Sequence, residues 1–258
     1  MDGVTGRDDT GTPAALPPQV RRVVSLVPSL TETVAVSAPG LLVGATAWCT
    51  HPSGLDVARV AGTKNPDVAR VVALRPDLVL ANAEENRAED LDALRAQGVA
   101  VWVTDIRTVD AALVSLGRLL AACGVERPVW LDDAEQAWAR APSPGARRRA
   151  VVPIWRRPWM ALGSDTFAGD VLARLGVDNV LASSPDRYPR FDPATLPPLD
   201  LAVLPDEPYA FTAGDGPEAF APVPSALVDG RMLTWYGPSL VQAPRVLASQ
   251  LGVEAVRR

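Results

Sequence analysis

The sequence has little histidine and cysteine, and this scarcity limits the metal and redox chemistry open to the protein. His51 is the only imidazole among 258 residues, and Cys49 and Cys123 are the only thiols. Metal sites built on several histidines, including the paired histidines of a metalloprotease helix, are therefore excluded. Two cysteines are also too few for a disulfide framework, and this pattern is typical of a reducing compartment.

Excess positive charge and long apolar runs are lacking as well. The chain has 25 Lys and Arg against 30 Asp and Glu, which gives a formal net charge of -5. Nucleic-acid partners normally require a basic face. No segment approaches the roughly 20 apolar residues of a membrane-spanning helix. We therefore expect neither a nucleic-acid partner nor insertion into a membrane.

The first twenty residues lack the basic start and the apolar core of a secretory signal. They contain Asp2, Asp8 and Asp9 together with Gly and Pro. We therefore expect residues 1–20 to form a disordered tail. With Met1 at the start of the chain, we also expect a cytoplasmic location.

The sequence does contain an alternation of short apolar runs and helical segments, which indicates a mostly parallel sheet. A capping-box pattern, Ser29 followed by Glu32, predicts that the first of these helices begins at Ser29. In the first half of the chain, four apolar runs are predicted strands: residues 22–27, 41–46, 78–81 and 99–104.

Helical patterns without an intervening strand follow at residues 109–123 and 128–140. The alternation then resumes, with an Asp229-Gly230 pair that predicts a tight turn between two apolar runs. These observations predict an α/β fold of two Rossmann-like lobes with mostly parallel sheets. We place the N-terminal lobe at 21–125, a helical connector at 126–147 and the C-terminal lobe at 148–258.

A spacing match supports two related lobes. Asp77 stands at the start of one predicted strand, seven residues before Glu84. Asp200 stands at the start of another, seven residues before Glu207. The repeated spacing predicts that the two halves of the chain are related repeats.

Loops at the carboxyl ends of strands are the expected ligand site, because ligands of open α/β sheets gather there. In this chain those loops are rich in aromatic, arginine and carboxylate side chains, which supply stiff contact area and a few orienting polar groups. The candidate ligand-binding residues are Pro28, Ser29, Trp48, Glu84, Glu85, Asn86, Trp155, Arg156, Arg157, Trp159, Glu207, Tyr209, Trp235 and Tyr236.

Two of these patterns have structural alternatives. The arginines of segment 155–159 can bind carboxylates or phosphate bidentately, or they can stack on the neighbouring tryptophans in a surface hairpin. Glu84 and Glu85 can hydrogen-bond a ligand, or they can complement the dipole of the helix that follows.

Cys49 and His51 are the candidate metal ligands. In an extended segment, residues two apart point to the same face, so the thiolate and the imidazole could chelate one metal. One alternative is a cysteine packed in the core beside a histidine that hydrogen-bonds a carbonyl. Another is a Cys–His nucleophilic pair.

Three segments resemble the class III substrate-binding proteins, the helical-backbone metal receptor superfamily. They are the opening Arg22–Glu32 (RVVSLVPSLTE), the later Val71–Leu80 (VVALRPDLVL) and the strand at Gly98–Val103. Members of this periplasmic-type family include binders of vitamin B12, haem and iron-siderophores. The resemblance implies two α/β lobes joined by a rigid backbone helix, with a cobalamin or another metal chelate held in the cleft between them.

The sequence departs from the transport members of that family. Those members dock to a membrane permease through a surface glutamate on each lobe, and the matching positions here are Ala69 and Ala194. We therefore do not expect permease docking. We expect a cytoplasmic protein that binds a small anionic chelate of the corrinoid, haem or iron-siderophore class.

Two alternatives to simple binding stay open. The first is an enzyme on the same scaffold that uses Cys49, His51 and carboxylates with a metal. The second is an ABC-transporter binding protein whose leader is absent. Of the two outcomes, binding and catalysis, we favour binding without catalysis.

Overall fold

The computed structural model describes residues 4–142 and 146–253. The chain divides into two compact units. Unit 1 takes the residues up to Ile106, then Asp110–Asp132 and Tyr236–Pro238. Unit 2 takes Arg107–Val109, Asp133–Trp235 and the residues from Ser239 onward. The change between units thus falls inside the predicted connector, at Asp132, and residues 143–145 of that connector lie outside the described residues.

The N-terminal segment differs from the predicted disordered tail. Strands β1 (Val4–Arg7) and β2 (Pro13–Leu16) form an antiparallel hairpin. At its turn, the Asp8 carboxylate accepts hydrogen bonds from the backbone of Thr10, Thr12 and Val103. The composition of this segment predicts disorder, but its short polar residues satisfy backbone donors both inside the turn and on a distant strand.

Unit 1 is built on a five-stranded sheet in which every pairing is parallel, as predicted. The strand order is β5-β4-β3-β6-β7, so β3 is central and β7 lies at an edge. The strands are β3 (Val23–Ser25), β4 (Leu42–Ala45), β5 (Ala58–Arg59), β6 (Leu78–Asn82) and β7 (Val101–Thr104). The helices of this part of the chain are α1 (Pro28–Ser37), α2 (Val68–Ala73), α3 (Ala88–Ala96), α4 (Val109–Ala122) and α5 (Val129–Ala139).

Unit 2 has a four-stranded parallel sheet of order β11-β8-β12-β13, beside a short antiparallel hairpin of β9 and β10. Its strands are β8 (Arg148–Val151), β9 (Pro153–Trp155), β10 (Met160–Ala161), β11 (Val177–Asn179), β12 (Leu201–Pro205) and β13 (Ser225–Val228). Its helices are α6 (Phe167–Arg174), α7 (Gly230–Thr234) and α8 (Ala243–Gln250). No helix in the described part of the chain combines the length and apolarity needed to cross a membrane.

Two local predictions, one of a helix start and one of a tight turn, are wrong. Helix α1 begins one residue earlier than predicted, at Pro28, and its N-cap Val27 makes no side-chain cap. Proline suits the first helical turn because its missing N–H has no partner there anyway. Asp229, predicted in a turn between two apolar runs, instead caps α7 by accepting from the Met232 N–H at 3.0 Å.

The spacing match between the two halves corresponds to a shared contact. The Asp77 carboxylate accepts from the backbone N–H groups of Arg21 and Arg22 at 2.7 and 2.9 Å. In unit 2, the Asp200 carboxylate accepts from the N–H of Arg149 at 2.7 Å. Each aspartate also donates its own N–H to the carbonyl of Arg22 or Arg149, at 2.8 Å in both cases. Each unit thus ties β6 or β12 to the start of its neighbouring strand, β3 or β8, by the same means.

We predict that Asp77→Ala lowers the free energy of unfolding by about 1–2 kcal/mol, because two strand N–H groups lose a charged acceptor. Asp56→Ala is the matched control, since Asp56 is an exposed aspartate of the same unit. Urea unfolding followed by circular dichroism measures both. Equal midpoints for the two variants would show that the hydrogen bonds of Asp77 contribute nothing to stability.

Candidate functional site

Trp48 and Trp155 stand apart from the other five tryptophans because their side chains are exposed. Trp48 follows β4 and is 69% exposed, and Trp155 ends β9, just after β8, and is 44% exposed. Trp102 and Trp138 are buried, and Trp130 is half-buried. Trp48 lies beyond the end of parallel β4 and Trp155 beyond the end of parallel β8, and an exposed indole in such a place is a typical ligand contact.

The turn after β6 holds the predicted ligand residues Glu84, Glu85 and Asn86. The Asn82 side chain accepts from the N–H groups of Glu84 and Glu85 at 2.8 and 3.2 Å. The buried Asn86 amide accepts from the Asn82 N–H and donates to the Thr63 carbonyl, both at 2.9 Å. Asn86 therefore shapes this turn with both ends of its amide, while Glu84 and Glu85 remain partly exposed on it.

The predicted ligand residues Pro28, Ser29 and Tyr236 lie in unit 1, and Ser29 and Tyr236 are buried. Burial raises the pKa of the Tyr236 phenol well above its usual value, and the nearby charge of Glu85 raises it further. Tyr236 is thus a neutral, packed side chain at the strand ends. Trp235 is half-buried in unit 2, with the Arg231 guanidinium 5.6 Å from its ring centroid.

Cys49 and His51 do not share an accessible face. Cys49 is completely buried, whereas His51 is exposed. Burial raises the pKa of the Cys49 thiol, against the opposing effect of the Thr31 and Thr46 hydroxyls at 3.0 and 3.1 Å. A raised pKa is the opposite of what a nucleophile or a thiolate ligand needs. Among the described residues, no group of three or more His, Cys, Asp or Glu could hold a metal ion.

The two arginines of the hairpin segment 155–159 have different environments. Arg156 pairs with both Asp215 and Glu218, and its guanidinium lies 5.1 Å from the Trp159 ring centroid. Tyr209 completes this network by donating its hydroxyl to Asp215 at 2.6 Å. Arg156 and Tyr209, both predicted to contact ligand, are therefore occupied in holding the hairpin.

Arg157, unlike Arg156, has no carboxylate partner among the described residues. Its side chain is exposed. Its φ of 71° lies in the left-handed region, which costs a non-glycine residue free energy and is found preferentially at functional sites. The hairpin therefore presents one neutralised and one available guanidinium.

Trp159 is partly buried and packs against the core of unit 2. It packs against buried Phe211 with a centroid distance of 5.9 Å and an interplanar angle of 4°. Phe191 and Phe220 contact the same ring at 5.9 and 5.4 Å. This aromatic cluster packs against the hairpin, so Trp159 helps to hold Trp155 and Arg157 in place.

Glu207 follows β12 in a partly buried position between two other acids. Burial raises its pKa, and the charge of Asp206 raises it further. Trp235 hydrogen-bonds its carboxylate, while Oε1 is buried without a partner among the described residues. Gly230 permits this close packing, because a Cβ there would lie 2.4 Å from the Glu207 Cγ.

We predict that Glu207→Gln raises the urea midpoint at pH 7. Because the folded-state pKa is raised, Glu207 favours folding fully below its ordinary pKa of 4.5, and that contribution is lost as the pH rises through the raised value. Glutamine removes the partly buried charge, so the variant gains most over the wild type at neutral pH and least near pH 4. Unfolding between pH 4 and 8 measures this difference, with exposed Glu126→Gln as control. A difference independent of pH would contradict the assignment.

Sequence reasoning missed several residues that shape these loops. Asp215 and Glu218 lie 59 and 62 residues from the arginine that they hold. Arg59 and Asn82 bond mainly to backbone atoms in neighbouring loops. Only Asn82 carried a local signal, since an asparagine at a strand end commonly hydrogen-bonds the backbone that follows.

Comparison with known proteins agrees with the resemblance in the sequence. A family model described as periplasmic binding protein matches residues 23–198. A vitamin B12-binding protein of Pectobacterium carotovorum is 26% identical over 252 residues, which cover 90% of this chain and 88% of the relative.

Solved structures share the fold. The periplasmic vitamin B12 binding protein BtuF of Vibrio cholerae has a TM-score of 0.73 at 18% identity, covering 90% of this chain and 97% of its own. A periplasmic heme binding protein from Pseudomonas aeruginosa has a TM-score of 0.73 at 22% identity, covering 92% and 95%. The predicted cytoplasmic location is wrong, because the matching family and these relatives are periplasmic.

Proposed function

Because this chain belongs to the periplasmic binding protein family, we propose that it binds a small anionic metal chelate of the corrinoid or haem class. In each unit taken by itself, loops beyond the parallel strands carry candidate contacts. The observation that carries this proposal is the exposure of Trp48 and Trp155 at those loops. The relatives named above bind vitamin B12 or heme, which supports the same class of ligand.

Exposed indoles suit a large, flat ligand. Each offers a rigid apolar face with only two rotatable bonds, so that little conformational freedom is lost on binding. Each unit also carries charged side chains on such loops: Glu84 and Glu85 are partly exposed in unit 1, and Arg157 is exposed in unit 2. A metal chelate also brings its own metal ligands, so it does not require a cluster of protein ligands around the metal.

Arg157 rather than Arg156 is the cation that we assign to the acidic groups of the ligand. Arg156 already has two carboxylate partners. Arg157 is exposed, and its guanidinium presents donors in a planar fork that fits a carboxylate or phosphate. The left-handed backbone at Arg157 is consistent with a position kept for its side chain rather than for local stability.

We propose that the protein acts outside the cytoplasm, as its relatives do. Permease docking through a pair of surface glutamates is not part of the proposal. The two positions that matched those glutamates, Ala69 and Ala194, are exposed and carry no charge.

Titration of the purified protein with cyanocobalamin and with haemin, followed by visible absorption and calorimetry, tests the proposal. We expect saturable binding of one of these probes with a Kd of about 1 µM or lower. Serum albumin and a heat-unfolded sample serve as controls for non-specific haemin binding. Failure of both probes to bind above those controls would contradict the proposed ligand class.

For the bound probe, we predict that Trp48→Ala and Trp155→Ala each weaken affinity about tenfold, because each removes a large apolar contact. Val129→Ala, which truncates an exposed apolar residue on α5, is the matched control and should leave the affinity unchanged. Calorimetric Kd values decide the matter. Affinities of both tryptophan variants equal to that of the control would remove the indoles from the site.

We predict that Arg157→Gln weakens binding about three- to tenfold at low salt, with a smaller effect at 0.5 M NaCl, because an exposed ion pair is screened by salt. Arg245→Gln is the control, since Arg245 is an exposed arginine on α8. Kd values at two salt concentrations measure both effects. An unchanged Kd at low salt would exclude Arg157 from ligand binding.

A further inference from the structure

Trp48 is exposed, yet the backbone around it is tightly hydrogen-bonded. The Thr50 N–H donates to the Trp48 carbonyl at 3.0 Å, and the Cys49 N–H donates to the Thr46 carbonyl at 3.2 Å. The Ala47 N–H, just before Trp48, donates to the Ala61 carbonyl at 2.8 Å. The loop after β4 is therefore closed on itself and tied to the segment after β5.

Arg59, on β5, reaches three carbonyls of this loop. Its Nη1 donates to the carbonyls of Thr46 and Cys49 at 3.1 and 2.9 Å, and its Nη2 donates to the Leu55 carbonyl at 3.0 Å. Two of these carbonyls flank Trp48 on either side in sequence, and the third lies farther along the same loop. One guanidinium thus fixes the loop at both ends of the Trp48 turn.

The side chain next to Trp48 anchors the loop from the inside. The Cys49 thiol is completely buried and lies 3.0 Å from the Thr31 hydroxyl of α1 and 3.1 Å from the Thr46 hydroxyl. The loop therefore has a buried attachment through the Cys49 thiol and a half-buried one through Arg59, while the Trp48 indole extends into solvent.

Arg59 has no carboxylate partner in the described part of the chain, so its hydrogen-bonding capacity goes to backbone carbonyls. We propose that Arg59 is a positioning residue for ligand binding, which holds the Trp48 indole in its binding orientation before the ligand arrives. This inference rests on the proposed function. Pre-organisation of a contact surface improves affinity because the loop need not be ordered during binding.

The geometry explains why arginine stands at this position. A guanidinium is planar and carries five N–H donors at fixed angles, so it can reach three separate carbonyls at once. The lysine ammonium is a single compact centre on a flexible stem and cannot span the same three acceptors. Arg59→Lys therefore keeps the charge and removes the bridging geometry.

A double-mutant cycle tests the proposal with whichever probe binds, cyanocobalamin or haemin. Arg59→Lys should weaken binding about three- to tenfold in the wild type and by less than about twofold in the Trp48→Ala background, because Arg59 acts through Trp48. An equal loss in both backgrounds, or no loss in the wild type, would overturn the proposal. Arg245→Lys controls for the substitution itself.

A second readout is independent of the ligand. In protein labelled with 5-fluorotryptophan, the Trp48 resonance is assigned by its disappearance in Trp48→Phe. In the wild type, its transverse relaxation should match that of buried Trp102, and Arg59→Lys should shift it toward the relaxation of a mobile side chain. An unchanged Trp48 relaxation in the variant would contradict the positioning role, whether or not any probe binds.

The outcomes separate the two claims. If neither probe binds to the wild type but Arg59→Lys mobilises Trp48, the proposed function fails and the positioning of Trp48 stands. Arg59→Gln is the second variant if Arg59→Lys does not fold, as judged by circular dichroism. If neither variant folds, the wild-type relaxation alone decides, because a mobile Trp48 in the unaltered protein would overturn the proposal.

Discussion

The fold of each unit depends on an aspartate that accepts hydrogen bonds at the start of a neighbouring parallel strand. Asp77 does this for the strand at Arg22, and Asp200 does it for the strand at Arg149. Parallel strands have no hairpin to set their register, so an ionised acceptor at one end supplies part of that information. Once the strands run in the same direction, every loop that follows them emerges at one edge of the sheet. The candidate site is a consequence of this arrangement.

At that edge in unit 2, neighbouring side chains of the same type differ in their contacts and exposure. Arg156 is neutralised and holds the unit 2 hairpin, whereas its neighbour Arg157 is exposed. Trp159 packs against the core, whereas Trp155 is exposed. The exposed member of each pair costs stability and is available to a ligand, and the packed member fixes the loop that carries it.

The sequence could predict the α/β class, the parallel sheets and the family, because these depend on periodic apolar runs and on local motifs. It could also locate the loops, since strand ends follow from strand positions. It could not predict that Trp155 is exposed while Trp159 is packed, or that Arg156 is paired with carboxylates while Arg157 is exposed. Those distinctions depend on partners about 50 to 60 residues away, such as the aspartate and glutamate that bind Arg156.

The N-terminal segment was missed for the same reason. Asp8 has partners in its own turn, Thr10 and Thr12, but its contact with the edge strand becomes visible only when Val103 lies beside it. The prediction that Cys49 and His51 share a face is wrong for a different reason. Their spacing suggested a shared face, but burial of the thiol beneath the loop leaves only the imidazole at the surface.

Hydrogen exchange measured with and without a saturating probe tests most directly whether the strand-end loops bind the ligand. We expect slower exchange in residues 46–51 and 154–157, which carry the exposed tryptophans, and no change in residues 17–20 and 121–125 of unit 1, which line a separate groove. Protection confined to that groove, or absent from both tryptophan loops while the probe is bound, would contradict the account.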